Sequence, residues 1–486
     1  MVKAKTLTQN TTYYTFALVF QKILAFVYFT FLARGLGVED LGKYAFAFSF
    51  TTIFSVFVDV GMSSILTREI AKDRSRAKEI LSNVLGMKLV LGFFVYLLVV
   101  ALINILDYGS TVKILVYITG LIMLLDNFAS SFWATLRGNQ NLKYESLGII
   151  LFEVVVVGLG LILLFSGLGV IYIILSTLVG STFFFFFSFY QMKKRLSLKI
   201  KIIWNSKVLK MLLKISWPFA LMGIFARLNT QIDTVFLSKI GCVGDICDSN
   251  VGIYAIATKI ALAIHFIPLA FTAALFPAFS EYFAHDKEKL SRTFTKSMKY
   301  MMVIGVPLSF GIYSLAPDFI PLVFGNIYTE SILPLQILIL GLVFMFLTFP
   351  VGSLLNAASR QLRNAVHVGI AVAVNIVLNI ILIPKMTFVG AAIASFVSSL
   401  VILFLGLYIA PKIVKFRKMP LLASFLRTVI SGGVMAVILT KLLFTVHFVI
   451  LIPIGALIYF ILLFLLGELK IKDIKEFLVS LRIKKN

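Results

Sequence analysis

Ionisable side chains that interrupt long apolar stretches are where this chain can do chemistry. The cations so placed are Lys22, Lys88, Arg227, Lys259 and Arg427, and the acids are Asp59, Asp126, Glu153 and Asp233. An ionised side chain near a bilayer centre costs roughly 2.5–3.5 kcal/mol on insertion scales, so each needs a partner, a wet cavity or a use. At helical spacing, Thr11, Thr15 and Lys22 share one face, as do Arg227, Gln231, Thr234 and Ser238. Tyr254, Thr258, Ala261 and His265 form a third polar or small stripe with Lys259 beside it. Cations favour phosphate oxygens, and an arginine can hold two at once. A hydrated cavity in which Lys22, Arg227 and Lys259 converge, with Gln231 and Tyr254 on its wall, would suit a diphosphate. The competing reading is that the cations pair with Asp59, Asp126, Glu153 or Asp233 and lock helices together. The same four acids are candidates to take up H⁺ or Na⁺ for coupling, since burial favours a protonated carboxyl. Asp126 and Glu153 lie deepest, whereas Asp59 is near a helix end.

The elements that carry these residues follow from composition. Of 486 residues, 60% are apolar and 14% charged, and mean hydropathy is +1.02; a soluble domain is about half apolar and a quarter charged. That excludes a soluble globular protein. About 20 apolar residues make one helical span, and fourteen such stretches are present, at about 12–34, 41–66, 81–105, 112–137, 144–166, 169–192, 213–239, 250–280, 294–316, 331–357, 364–383, 387–410, 421–443 and 446–467. Near-continuous apolar runs such as 147–165 and 449–466 exclude a β-barrel, whose strands alternate. The first stretch is long enough to span and lacks a small-residue cleavage site, so it reads as a retained helix. An all-α polytopic membrane protein is predicted.

A formal charge of +24 would point to nucleic acid in a soluble protein, but here its placement reads as topology. Only Arg34, Lys43, Lys113, Lys239, Lys385 and Lys441 fall on one side, and five cations lie within spans; the rest of the 45 Lys and Arg collect on the other side. The positive-inside rule then makes both termini cytosolic. No nucleic-acid partner is expected, and anionic lipid headgroups are the default partner of the basic loops.

The chain also repeats itself. Phe31-Leu32-Ala33-Arg34 matches Phe236-Leu237-Ser238-Lys239, and Gly42-Lys43-Tyr44-Ala45 matches Gly252-Ile253-Tyr254-Ala255; Gly148 and Gly169 find counterparts in Gly369 and Gly390. At the offset of the first match, Lys22 and Arg227 are equivalent positions. Two parallel six-helix lobes are predicted: an N-lobe over 1–192 and a C-lobe over 213–410, joined by a basic cytosolic linker over 193–212. Residues 411–486 supply two appended spans and a basic cytosolic tail, with Ile471, Ile474, Leu478 and Leu481 on one face. Among prolines inside spans, Pro268 is the best placed to bend its helix.

The segment Leu32-Ala-Arg-Gly-Leu-Gly-Val-Glu-Asp-Leu-Gly-Lys-Tyr-Ala45, with its echo in Ile232–Lys239 and Val251–Ala255, resembles the opening signature of O-antigen and exopolysaccharide-type polysaccharide flippases. These belong to the multidrug/oligosaccharidyl-lipid/polysaccharide exporter superfamily, and the resemblance covers essentially the whole chain. It implies translocation of a polyprenyl-diphosphate-linked oligosaccharide from the cytosolic to the outer leaflet, by alternating access of two rocking lobes. A monomer in the cytoplasmic membrane is the expectation.

Other classes fare worse. A cation-coupled multidrug exporter of the same superfamily would want acids and aromatics in its cavity, against three mid-membrane cations. A membrane glycosyltransferase or polymerase would need a sizeable catalytic loop, and the longest breaks, about 192–212 and 317–330, are short. There is no phosphate-cradling Gly-rich loop and no Gly-x-Ser-x-Gly elbow, so neither enzyme activity nor a cofactor is expected. The two cysteines, Cys242 and Cys247, fall in one predicted outer loop, where a disulfide is allowed and free thiols are the alternative; His265, His285, His367 and His447 do not cluster, so no metal site is expected.

Overall fold

The computed structural model describes residues 4–196, 204–240, 245–443 and 446–469. Thr11's side chain, Cys242 and the tail residues Ile471, Ile474, Leu478 and Leu481 lie outside the described residues, so the readings made on them stay expectations. Among the described residues the chain is helical with no strand. Its helices are α1 (Ala4–Asp59), α2 (Met62–Lys72), α3 (Ala77–Ile105), α4 (Ser110–Gly138), α5 (Lys143–Phe165), α6 (Val170–Leu196), α7 (Ser206–Leu237), α8 (Asp245–Ala263), α9 (Phe266–His285), α10 (Lys287–Phe324), α11 (Ile332–Ala357), α12 (Gln361–Ile409), α13 (Lys418–Leu442) and α14 (Phe448–Leu465).

Twelve helical segments among the described residues are long and apolar enough to cross a membrane. Two of them are too long to cross once: a straight 56-residue helix such as α1 would run about 84 Å, against about 30 Å of hydrocarbon. Each is broken where the backbone leaves the helical region, α1 at Gly37 (φ 77°, ψ 177°) and α12 at Thr387 (φ 47°, ψ −126°). Glycine takes that conformation without steric cost. Counted as two spans each, they bring the number to the fourteen read from the sequence.

Two predicted spans are not continuous. The stretch 41–66 breaks at Val60 and Gly61, both with positive φ, between α1 and α2. The stretch 250–280 breaks between α8 and α9, where His265 N–H reaches back only three residues to Leu262. Pro268 explains the second break, because its ring clashes with the carbonyl four residues earlier, that of Ile264. The predicted loop 317–330 is largely helical instead: α10 runs through Pro317 and Pro321 to Phe324, and a 3₁₀ segment, Asn326–Ser331, completes the connection. The carbonyl that Pro317 frees, that of Tyr313, accepts a hydrogen bond from Gln336 Nε2 at 3.1 Å. Such compensation is what makes prolines tolerable inside membrane helices.

The chain divides by packing into two compact units, Met1–Ala255 with Asn379–Phe388, and Ile256–Leu378 with Val389–Asn486. In the first, α2, α3, α4 and α7 bury a core around Ile70, Leu81, Trp133 and Leu212. In the second, Met435 and Leu439 of α13 and Leu451, Tyr459 and Leu463 of α14 are buried with Val306, Leu315 and Val343. The two C-terminal helices are therefore built into that unit's core rather than appended to its surface.

Local geometry recurs along the chain. At the end of α4, Asn141 N–H bonds Leu136 O at 3.0 Å and Gln140 N–H bonds Arg137 O at 2.8 Å, with Gln140 left-handed. At the end of α11, Arg360 bonds Leu355 O at 2.8 Å and Ser359 bonds Asn356 O at 3.1 Å, with Ser359 left-handed. These are the paired bonds of a Schellman cap. Asp73 and Asp286 likewise cap the starts of the segments that follow them from the same extended backbone. Hydrogen bonds from Ser75 hold the Asp73 carboxyl below its ordinary range, and the Lys289 and Glu288 N–H groups do the same for Asp286.

Two glycines that the sequence pairs sit where helices approach closely. A Cβ on Gly42 would stand 1.7 Å from the Asp248 carbonyl oxygen, and one on Gly252 would stand 2.0 Å from that of Val38. Backbone meets backbone there, as small residues permit between membrane helices. Gly42→Ala and Gly252→Ala should each destabilise the protein by more than the roughly 1–3 kcal/mol of ordinary overpacking. Gly433→Ala, which meets nothing within 4 Å, should leave the thermal midpoint of the detergent-solubilised protein unchanged; equal midpoints for all three would contradict the contact.

Candidate functional site

A cavity of 600 Å³ opens inside the first unit, lined by the second half of α1, the start of α2, α4 and the middle of α7. Much of its wall is polar: Thr51, Thr52, Ser55, Ser64, Thr119, Asn127 and Ser130 line it, with Asp59, Asp126 and Arg227. Small residues open the space. Gly223 of α7 lies against Val56, and Gly61 at the α1–α2 break lies against Phe219, so side chains there would fill the gap.

One charge pair is built into this wall. Lys88 of α3 is fully buried, and its Nζ lies 2.6 Å from Asp59 Oδ1. It also donates to Ser63 Oγ at 3.1 Å and to the Asn127 carbonyl at 2.9 Å. Ser63 donates in turn to Asp59, and Ser130 Oγ stands 3.1 Å from Ser63 Oγ. The ammonium thus has three oxygen partners for its three N–H groups. Asp59 is held as a counter-ion and also accepts the Ser63 N–H in the first turn of α2 at 3.3 Å.

The other two charges are less committed. Arg227, on the exposed wall of the cavity, makes no ion pair among the described residues. Asp126 has its Oδ1 buried without a hydrogen-bond partner, and Ser181 of α6 faces it without closing a bond. With Asp59 neutralised by Lys88, the cavity offers one uncommitted guanidinium and one uncommitted carboxylate.

The remaining expected site residues are dispersed. Lys22 is exposed on α1 and Gln231 half-buried on α7, and neither lines the cavity. Tyr254 is buried and donates to Asp233 Oδ2 at 2.9 Å, while Asn379 Nδ2 donates to Asp233 Oδ1 at 2.7 Å. Asp233 and Tyr254 therefore form a hydrogen-bonded cluster of their own. Lys259 is half-buried on the part of α8 belonging to the second unit, and Glu153 is buried in α5. Cys247 is buried in the first turns of α8. Sequence reasoning missed Lys88 as the partner of Asp59. Its position inside an apolar run marked it as a cation in need of a partner, but the partner lies 29 positions away on another helix.

Residues 7–283 match a family described as polysaccharide biosynthesis protein, which is more than half the chain. The chain belongs to that family. Residues 218–381 also match the MatE family, in keeping with the superfamily resemblance read from Leu32–Ala45. A relative from Haloferax volcanii, the probable low-salt glycan biosynthesis flippase Agl15, is 24% identical over 78% of this chain and 78% of its own. The capsular polysaccharide biosynthesis protein CapF of Staphylococcus aureus is 22% identical over 77% of this chain and 92% of its own. Among solved structures, the lipid II flippase MurJ in an inward closed conformation superposes with a TM-score of 0.75 at 18% identity, over 92% of this chain and 97% of that one. This chain thus has the fold of that lipid II flippase structure.

Removing one member of a buried ion pair costs about 3–5 kcal/mol, whereas replacing both with apolar groups is often near neutral. Lys88→Met and Asp59→Leu should each lower stability on that scale, and the double variant should recover most of the loss. A thermal double-mutant cycle measures this; additive losses would show that the pair does not act as one unit.

Proposed function

We propose that this protein is a flippase that moves a polyprenyl-diphosphate-linked oligosaccharide across the cytoplasmic membrane by alternating access. The carrying observation is the cavity: a membrane-embedded polar space with an uncommitted arginine, in a chain of the polysaccharide biosynthesis family. Diphosphate oxygens match a guanidinium that can bind two of them at once. The hydroxyls of Thr51, Thr52, Ser55 and Ser130 can hydrogen-bond sugar or phosphate. The relatives named as flippases support this reading, and so does the absence from the sequence of any nucleotide-binding loop.

In this proposal Arg227 is the principal phosphate ligand and Asp126 the coupling acid, taking up H⁺ or Na⁺. Lys22, Lys259, Gln231 and Tyr254, which do not line this cavity, are further candidate contacts for the substrate, and Glu153, Asp59 and Asp233 have secondary coupling or structural roles. The two parallel lobes, over 1–192 and 213–410, would rock against each other; the matching caps after α4 and α11 support the repeat. The protein works as a monomer, without a cofactor, in the lipid of the membrane that carries its substrate.

Two expectations test the proposal. With Cys242 and Cys247 removed, an impermeant maleimide added to intact cells should label Thr329→Cys and spare Ser75→Cys, since the basic loop carrying Ser75 is assigned to the cytosol; the reverse pattern inverts the topology. Arg227→Gln should cut delivery of labelled lipid-linked oligosaccharide to the outer leaflet by roughly tenfold or more, the value of a charge-assisted hydrogen bond. Arg227→Lys should retain part of the activity. Wild-type delivery by a well-inserted Arg227→Gln protein would remove Arg227 from the site.

A further inference from the structure

We propose that the second unit carries a separate binding groove for an anionic phospholipid at the basic end of the membrane domain. A groove of 520 Å³ lies among α10, α11, α12 and α13, and Met302, Phe344, Leu347, Leu407 and Phe425 make its walls apolar. It opens outward past Phe404, Tyr408 and Leu422, which are 65%, 69% and 52% exposed. Lys418 sits on its lining. Lys412, Lys415 and Arg417 precede Lys418 in the short connection to α13, and Lys412 Nζ lies 4.7 Å over the Tyr408 ring.

What makes this a lipid site is the charge left open at an apolar opening. The chain has no Asp or Glu between Glu330 and Glu468. Glu468 is already held by Lys299 at 3.3 Å, Arg427 at 3.5 Å and Ser424. At the start of α10, whose Ser291 hydroxyl donates to the Lys415 carbonyl, the capping Asp286 is paired with Lys289 and Glu288 with Arg292. Lys412, Lys415, Arg417 and Lys418 make no ion pair among the described residues. Four uncompensated cations beside an apolar cleft complement a molecule with an anionic head and a hydrocarbon chain, and basic pockets between membrane helices bind such headgroups. The volume falls in the range of a small-ligand pocket, which suits one acyl chain of a membrane phospholipid better than a whole polyprenyl chain. The tail 470–486 carries the same charge sign as the opening, which disfavours it as the occupant.

Native mass spectrometry of the full-length protein in detergent, with equimolar dioleoyl phosphatidylglycerol and dioleoyl phosphatidylcholine, tests this. Phosphatidylglycerol should be retained preferentially, and Arg417→Gln and Lys418→Gln should each weaken retention about fivefold, the value of one basic residue near anionic lipid. Both side chains are exposed and unpaired, so these variants should stay monodisperse. Dihexanoyl phosphatidylglycerol, with the same head and short chains, should be retained less than the dioleoyl lipid. Equal retention of the two dioleoyl headgroups, or retention unaffected by both substitutions, overturns the proposal. So would displacement of phosphatidylglycerol by equimolar polyprenyl phosphate, which would assign the groove to the substrate's tail.

Discussion

The buried contact between Lys88 and Asp59 is the interaction on which the first unit's interior depends. Lys88 is fully buried with no solvent for its charge, so it is tolerable only because Asp59 is within 2.6 Å and Ser63 and the Asn127 carbonyl complete the ammonium's shell. The partners come from four helices: Asp59 ends α1, Ser63 opens α2, Lys88 is on α3 and Asn127 on α4. Meeting the demands of one ammonium therefore fixes how these helices surround the cavity. It also decides which charges remain for a substrate. With Asp59 committed, Arg227 and Asp126 are left facing the space.

The same rule, that polar groups must find partners inside the protein, governs the backbone. Breaks occur at Gly37, where glycine removes the steric cost, at Val60–Gly61 beside the cavity, at Thr387, and just before Pro268. Where a proline frees a carbonyl inside α10, Gln336 supplies the missing donor. Close packing does the rest. Gly42 and Gly252 bring two helices near enough for backbone to meet backbone, which accounts for the Gly-x-Tyr-Ala pattern that recurs at those positions.

Hydropathy alone located the spans, because an 18-to-25-residue apolar stretch has few other uses. Pattern also reached Arg227, a cation mid-way along a span on a face shared with Gln231, Thr234 and Ser238, and it lines the cavity. The pairing of Gly42 with Gly252 was legible as a repeat, though not as a contact. What the sequence withheld depends on which helix neighbours which. Lys88 and Asp59 are 29 positions apart on different helices, so their pairing follows from packing, not from periodicity. Lys22, equivalent to Arg227 by repeat, lies outside the cavity because that space opens toward the second half of α1, not its first half. Helical spacing placed Tyr254 on a polar stripe, but burial turned its hydroxyl to Asp233. The loop read at 317–330 failed for a simpler reason: prolines that punctuate soluble helices are accommodated in this one.

The central claim is that the cavity selects a diphosphate-bearing lipid over a cation. Equilibrium binding to the purified protein in lipid nanodiscs, using a labelled polyprenyl-diphosphate oligosaccharide and a lipophilic cationic drug as competitors, tests it most directly. The account predicts saturable binding of the diphosphate lipid that inorganic diphosphate weakens and the drug does not. Tight binding of the cationic drug, undisturbed by the diphosphate lipid, would contradict it and make the protein a drug exporter.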